Sequence, residues 1–188
     1  LDAYNVNHKL SRKMSRFAKF LLGAGIQAVN DSGLSSETLA SGKTGIVTGI
    51  GIGLSDGLDA GYRKYFDPDA GVNRLPPLTA PLSLNNEASA NVSMYFGIKG
   101  PSWTISTACA SGSDAIGLGM DMIRSGRIDV CLAGGTDANI TGFNIGCYQV
   151  LQALTQNFND APEKASRPFD KNRSGFVMGE GSAVLVLE

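Results

Sequence analysis

At 188 residues, with 43% hydrophobic and 18% charged side chains, the chain has the composition of a globular domain with a sizeable core, not of a disordered or collagenous protein. A net charge of −1 provides no overall field for nucleic acid, and no apolar run reaches the length that spans a bilayer. Cys109, Cys131 and Cys147 are an odd number without C-x-x-C spacing, which argues against a disulfide framework or a zinc site and predicts a reducing, cytoplasmic setting.

Leu10, Met14, Phe17, Ala18, Leu21, Gly25 and Ala28 recur at helical spacing and predict one helix, ended by Asp31-Ser32-Gly33. At its start Lys9, Lys13 and Arg16 follow i, i+4, i+7 spacing on one face, with Arg12 beside them. They read as a solvated surface or as a docking patch for an acidic partner. His8, the only histidine, lies in the same charged segment and reads as an exposed helix start rather than a catalytic base. Thr44 to Thr48 reads as a short buried strand. The glycines at 49, 51 and 53 invite a dinucleotide-binding reading, but Leu54 stands where that pattern requires glycine, so a tight strand-to-helix crossover is expected instead. Asn73 to Ala80, with Pro76-Pro77, reads as a loop. Pro81 to Phe96 reads as one helix, with proline at its start and Gly97 at its end.

Residues 102–106 alternate β-branched or aromatic side chains with small polar ones, as a strand does. After them comes Thr107-Ala108-Cys109-Ala110-Ser111-Gly112, and then Ala115, Ile116, Leu118, Met120, Met122 and Ile123 at helical spacing up to Ser125-Gly126. Cys109 thus falls on a strand-to-helix turn. Backbone N–H groups without intrahelical partners favour a thiolate there and can hold a developing oxyanion, which suits a nucleophile that takes up an acyl group. The alternative is a small buried cysteine, a common fate of free thiols. Asp129 to Ala133 reads as a further buried strand followed by a Gly134-Gly135 turn, and Ser182 to Leu187 as a last strand. Strands alternating with helices predict an α/β fold with a mostly parallel sheet covered on both faces. Residues 166–181 mix charges, aromatics and glycines, as loops near sites do. Both ends are abrupt, so the chain is expected to be part of a larger protein.

Several stretches together resemble the β-ketoacyl-acyl-carrier-protein synthases, specifically the elongating condensing enzymes of dissociated fatty acid synthesis. They are Gly100-Pro101-Ser102 through Ala108-Cys109-Ala110-Ser111-Gly112, Ala133-Gly134-Gly135-Thr136-Asp137, and Glu163-Lys164-Ala165-Ser166-Arg167-Pro168-Phe169-Asp170 through Gly179-Glu180-Gly181. Arg12-Lys13-Met14 and Asp31-Ser32-Gly33 also fit. The likeness runs in order over essentially the whole chain.

The resemblance implies a thiolase-like fold, two similar α/β halves in αβαβα layers, usually a homodimer. On this reading residues 1–188 are the N-terminal half of a ketosynthase domain, without its first strands and its second half, which carries the family's two histidines, its lysine and its gating phenylalanine. Cys109 is then the catalytic nucleophile that accepts the acyl chain from acyl-carrier protein, before malonyl-carrier protein is decarboxylated and attacks the thioester. The backbone N–H of Cys109 would form half of the oxyanion hole. Ile52, Tyr148 and Phe176 fall at the acyl channel, where Tyr148 replaces a common phenylalanine. Lys9, Arg12, Lys13 and Arg74 match carrier-docking positions, and Gln152 stands where relatives often have arginine. The resemblance calls for no cofactor or metal, and for no nucleic-acid or membrane partner. A polyketide ketosynthase, a non-catalytic partner subunit that shapes chain length, and an inert structural half-domain remain as alternatives; a retained Cys109 argues against the partner subunit.

Overall fold

The computed structural model describes residues 1–53, 55–69 and 74–188, which form two units: Leu1–Ala138 with Gly181–Glu188, and Asn139–Glu180. Leu54, where the glycine pattern fails, and Asn73, at the head of the expected loop, lie outside the described residues.

The first unit opens with α1 (His8–Ser11) and α2 (Arg16–Ser32), where the spacing predicts one helix. The break comes from Ser15, which is extended and caps α2 by accepting from the Ala18 N–H at 3.4 Å. Lys9, Lys13 and Arg16 therefore do not share one helical face, although they and Arg12 are all exposed. α2 ends at Gly33, whose φ of 70° places it in the left-handed region that suits glycine. It buries Phe17, Leu21, Leu22, Ile26 and Val29 along one face. Next come α3 (Ser36–Leu39), β1 (Thr44–Gly49), α4 (Ser55–Tyr65), α5 (Thr79–Leu82) and α6 (Glu87–Phe96). The helix expected over 81–96 is thus two. Asn85 and Asn86 stand at the break, where their side chains favour turns over a helix interior. Gly97, with φ of 69°, ends α6 as expected.

Then follow β2 (Ser102–Ile105), α7 (Ser111–Arg124), β3 (Val130–Asp137) and, after the second unit, β4 (Gly181–Leu187). The sheet order is β2-β1-β3-β4. β1 lies parallel to both β2 and β3, and β4 is an antiparallel edge strand on β3. Gly134-Gly135, expected as a turn, is the continuation of β3. Glycine is needed there because neighbours approach closely: a Cβ on Gly134 would lie 2.0 Å from the Ala183 carbonyl oxygen, and one on Gly135 would lie 3.1 Å from the Gly112 Cα.

Alternation along the strands sorts the core into two layers. Ile46, Ile50 and Leu132 face α2 and α6, meeting Phe17, Leu21, Leu22, Ala88 and Val92. Val47, Cys131 and Ala133 face the other way and pack on Ala115 and Met122 of α7. The sheet is therefore covered on both faces at β1 and β3, while β4 at the edge leaves Leu185 half exposed. The buried Glu87 carboxylate ties α6 to the start of α2. It accepts from the Ser15 N–H at 3.1 Å, from the Ser15 hydroxyl and from the Asn91 amide at 2.9 Å. A negative group at that helix N-terminus is favourable.

The second unit holds α8 (Gly142–Val150), capped by the Thr141 hydroxyl, and a long irregular segment.

Gly49 at the end of β1 tests the packing. A Cβ there would lie 2.1 Å from the Ser111 carbonyl carbon and oxygen, so Gly49→Ala should cost roughly 3 kcal/mol or more in urea unfolding. Gly42→Ala, where a Cβ meets nothing within 4 Å, should stay within about 0.5 kcal/mol of the parent. Equal effects of the two changes would refute this account of why glycine stands at 49.

Candidate active site

The end of β2 is held by the Ile105 carbonyl, which accepts from the Ile50 N–H at 3.0 Å. Residues 106–110 then turn into α7. Ala108 has φ of 54°, a left-handed conformation that costs a residue with a Cβ of order 1 kcal/mol. The turn is stitched by Ser111. Its hydroxyl accepts from the Thr107 N–H at 2.9 Å and donates to the Ala108 carbonyl at 2.6 Å, and its N–H donates to the same carbonyl at 3.2 Å. The Thr107 hydroxyl donates to the Asp114 carboxylate, one turn into the helix.

Cys109 is exposed on this turn, immediately before a fourteen-residue helix. The buried-cysteine alternative does not hold for it. An open cavity of about 420 Å³ adjoins it, lined by Ala108, Ser111, Gly49, Gly135 and Asp137 among others. Glycines 49, 51, 112, 135 and 181 contribute to its lining. Beside the glycine contacts already described, a Cβ on Gly51 would lie 3.3 Å from the Ala108 carbonyl oxygen.

Asp137, at the end of β3, fixes the loop after β1. Its carboxylate accepts from the N–H groups of Gly51 at 2.8 Å, Ile52 at 3.2 Å and Gly53 at 2.9 Å. Charge-assisted bonds of this kind are stronger than neutral ones. They place Ile52 with its side chain 38% exposed. The carboxylate belongs to the Ala133–Asp137 stretch that the sequence singles out, but no local pattern announces the loop it holds, more than eighty positions away along the chain.

The three cysteines differ by environment. Cys131 is buried in β3, and burial pushes its thiol up to about 11, only partly offset by a backbone hydrogen bond with Val47. Cys147, on α8, is exposed.

In the second unit, Tyr148 and Phe176 meet edge to face, with ring centroids 5.4 Å apart and planes at 78°. Phe176 is held through its backbone: its N–H donates to the Ala153 carbonyl at 3.0 Å, and its carbonyl accepts from the Thr155 N–H at 3.1 Å. Gly175 before it has φ of 132°, and a Cβ there would lie 2.6 Å from the Leu154 carbonyl carbon. Asp170 is held below the usual carboxylate range, first by the Asn172 N–H and then by Arg167. Gln152 is exposed, with φ of 55°.

Of the positions expected to dock a partner, Lys9, Arg12, Lys13 and Arg74 are all exposed. His8 is exposed at the start of α1, in keeping with its reading as a solvated residue. Among the described residues no three His, Cys, Asp or Glu side chains converge as metal ligands, and no helix is long and apolar enough to cross a membrane.

Comparison with known proteins agrees with this architecture. The family model for the beta-ketoacyl synthase N-terminal domain matches residues 2–188. The chain is 37% identical to 3-oxoacyl-[acyl-carrier-protein] synthase 2 of Vibrio harveyi, over 97% of this chain and 43% of that protein. It is 41% identical to the tetracenomycin polyketide synthase ketoacyl synthase alpha subunit of Streptomyces glaucescens, over 86% of this chain and 39% of that one. Among solved structures, a beta-ketoacyl synthase from Burkholderia phymatum superposes with a TM-score of 0.83 at 29% identity, covering 97% of this chain and 44% of the other. A type II polyketide acyl-carrier protein in complex with its ketosynthase, bound to the hexaketide, gives a TM-score of 0.86 at 27% identity, covering 92% of this chain and 43% of that chain. The chain spans less than half the length of these relatives. A single mixed sheet between helical layers, with the family's pattern along the chain, makes it a member of the beta-ketoacyl synthase family, matching that family's N-terminal domain on a thiolase-like α/β fold.

Proposed function

We propose that this chain is the N-terminal half of a 3-oxoacyl-acyl-carrier-protein synthase, a condensing enzyme that extends an acyl chain by two carbons. The single observation that carries the reading is Cys109, exposed on the turn into α7 beside an open cavity. In the first step its Sγ attacks the thioester carbonyl of an acyl-carrier protein. A new carbon–sulfur bond forms, the bond to the carrier's sulfur breaks, and that sulfur leaves as a thiol carrying the proton lost from Cys109. Malonyl-carrier protein then loses carbon dioxide, and its carbanion attacks the acyl-Cys109 thioester. That attack regenerates the thiolate and leaves a 3-oxoacyl chain on the second carrier. The Cys109 N–H, at the helix start, serves as one oxyanion donor. The resemblance assigns acyl-channel roles to Ile52 in the first unit and, separately, to the Tyr148–Phe176 pair in the second.

α7 supports the two-half, five-layer arrangement. Ala115, Gly119 and Met122 are buried, yet Ile116, Leu118 and Ile123 are only half-buried and Met120 is 40% exposed. A helix apolar on both flanks is one that a second layer covers. On this reading residues 1–188 are part of a cytoplasmic homodimer, and the rest of each protomer supplies the remaining catalytic groups. The 41% identity to a polyketide ketosynthase subunit favours one second reading, the same chemistry on a growing polyketide.

In the full-length protein, an acyl-carrier protein bearing an electrophilic acyl analogue should modify Cys109, and Cys109→Ala should remove both labelling and acyl transfer. A small alkylating reagent should reach Cys109 and Cys147 and spare Cys131 up to pH 9, because the thiol at 131 stays protonated until about pH 11. Labelling of Cys131 at a rate equal to that of Cys109 would sink the assignment.

Carrier docking is separable from chemistry. Reversing charge at Lys9, Arg12 and Lys13 together should slow association with the acidic carrier about tenfold and flatten its salt dependence. Acyl transfer from a small thioester that carries no protein should stay unchanged. A triple variant that binds carrier as the parent does leaves these residues as a solvated face.

A further inference from the structure

We infer that Thr107 and Asp114 are positioning residues: their side-chain bond braces the strained turn and so fixes the direction in which Cys109 presents its sulfur. The inference rests on Cys109 being the acyl-accepting nucleophile. Three observations lead to it. First, Ala108, between Thr107 and Cys109, is held at φ of 54° although it carries a Cβ. Such a conformation persists only where the surroundings over-determine it. Second, much of the backbone of the turn is already committed. The Thr107 N–H and the Ala108 carbonyl are both taken up by Ser111, and the Ala110 N–H donates to the Thr107 carbonyl at 3.2 Å. Third, a further link across the turn is made by side chains: the Thr107 hydroxyl donates to the Asp114 carboxylate. Asp114 is itself fixed in the first turn of α7, where its N–H donates to the Ala110 carbonyl at 2.9 Å.

This link joins the residue two before Cys109 to the residue five after it. It therefore spans the segment whose backbone sets the Cys109 Cα–Cβ direction. Ser111, the first residue of α7, holds the turn closed through the Thr107 N–H and the Ala108 carbonyl, and Thr107–Asp114 adds a second tie one turn farther along the helix. Thr107–Asp114 anchors the strand side of the turn to the helix, so it governs the angle at which the chain leaves β2 and enters α7. Without it the turn can relieve the strain at Ala108 by rotating, and Cys109 rotates with it. Both residues are exposed among the described residues. Thr107 stands on the turn two residues before the nucleophile, and its hydroxyl is spent on Asp114. Both residues thus act through Cys109 and are not themselves reacting groups.

The test is single-turnover acyl transfer from acyl-carrier protein to the full-length enzyme, followed by intact mass, with Thr107→Val, Asp114→Ala, the double variant, Thr107→Ser and Asp114→Asn. Misdirecting a nucleophile by a fraction of an ångström lowers the rate of the chemical step, so the maximal acylation rate should fall about tenfold in each of the first two variants. The half-saturating donor concentration should not change. The double variant should be no slower than the slower single one, because both remove the same link. Thr107→Ser and Asp114→Asn keep a donor and an acceptor, and each should restore most of the rate. Unchanged rates, additive losses, an Asp114→Asn variant as slow as Asp114→Ala, or losses that follow a lowered melting temperature would each overturn the inference while leaving Cys109 as the nucleophile. A parent protein that takes no acyl group on Cys109 overturns the reading of the nucleophile and this inference with it.

Discussion

The start of α7 lies against the ends of β1 and β3 with almost no side chain between them, and the geometry around Cys109 depends on that contact. Gly49 abuts the carbonyl of Ser111, Gly135 abuts Gly112, and Gly51 approaches the carbonyl of Ala108. A methyl group at 49 would have to occupy the same space as helix backbone. This closeness brings the positive end of a fourteen-residue helix to the carboxyl edge of a parallel sheet, the place where open α/β sheets bind and react. Glycine here is a packing requirement imposed from three directions at once.

Polar groups then fix what the close approach allows. The Asp137 carboxylate gathers three consecutive N–H groups of the loop after β1, so a glycine-rich segment with intrinsic freedom is held in one conformation. Ser111 does the same for the turn that carries Cys109. The two devices act on adjoining segments, one anchored at the end of β3 and the other within α7. Farther away, Glu87 binds the start of α2 to α6 and so secures the layer on the other side of the sheet. Buried carboxylates with full sets of donors are stable where unpaired ones are not.

Much of this was legible in the sequence. The strand before Cys109, the helix after it and the turn between them follow from alternation, helical spacing and small residues. The order of strands and helices predicted the mostly parallel sheet. What was missed has a common physical origin. Gly134-Gly135 looks like a turn because glycine is frequent in turns, but glycine is equally required where another backbone passes close by, and only the position of Ala183 and Gly112 decides between the two. The helix expected to run on from Leu10 fails at Ser15. The apolar pattern continues through Met14, but the serine caps a new helix and bonds to a glutamate seventy-two positions away. Asp137 was part of a recognisable motif, yet its three partners lie in a distant loop. Periodicity reports which face of an element is apolar. It carries no information on which backbone atoms come within 3 Å of one another across the sheet.

The cysteines show how far the surroundings, rather than the residue type, set chemistry. Cys131 and Cys109 stand twenty-two positions apart on elements that pack against one another, β3 and the turn into α7. Cys131 points into the layer between β3 and α7, where a Cβ on Gly119 would lie 2.9 Å from its sulfur, so the thiol is enclosed and its proton is retained. Cys109 lies beyond the edge of the same sheet, where the strand has ended and the helix has begun, so its sulfur meets solvent and the open cavity. The parallel sheet produces both environments from one feature. Its strands bury whatever lies between their ends, and its carboxyl edge exposes whatever stands on the turn into the next helix.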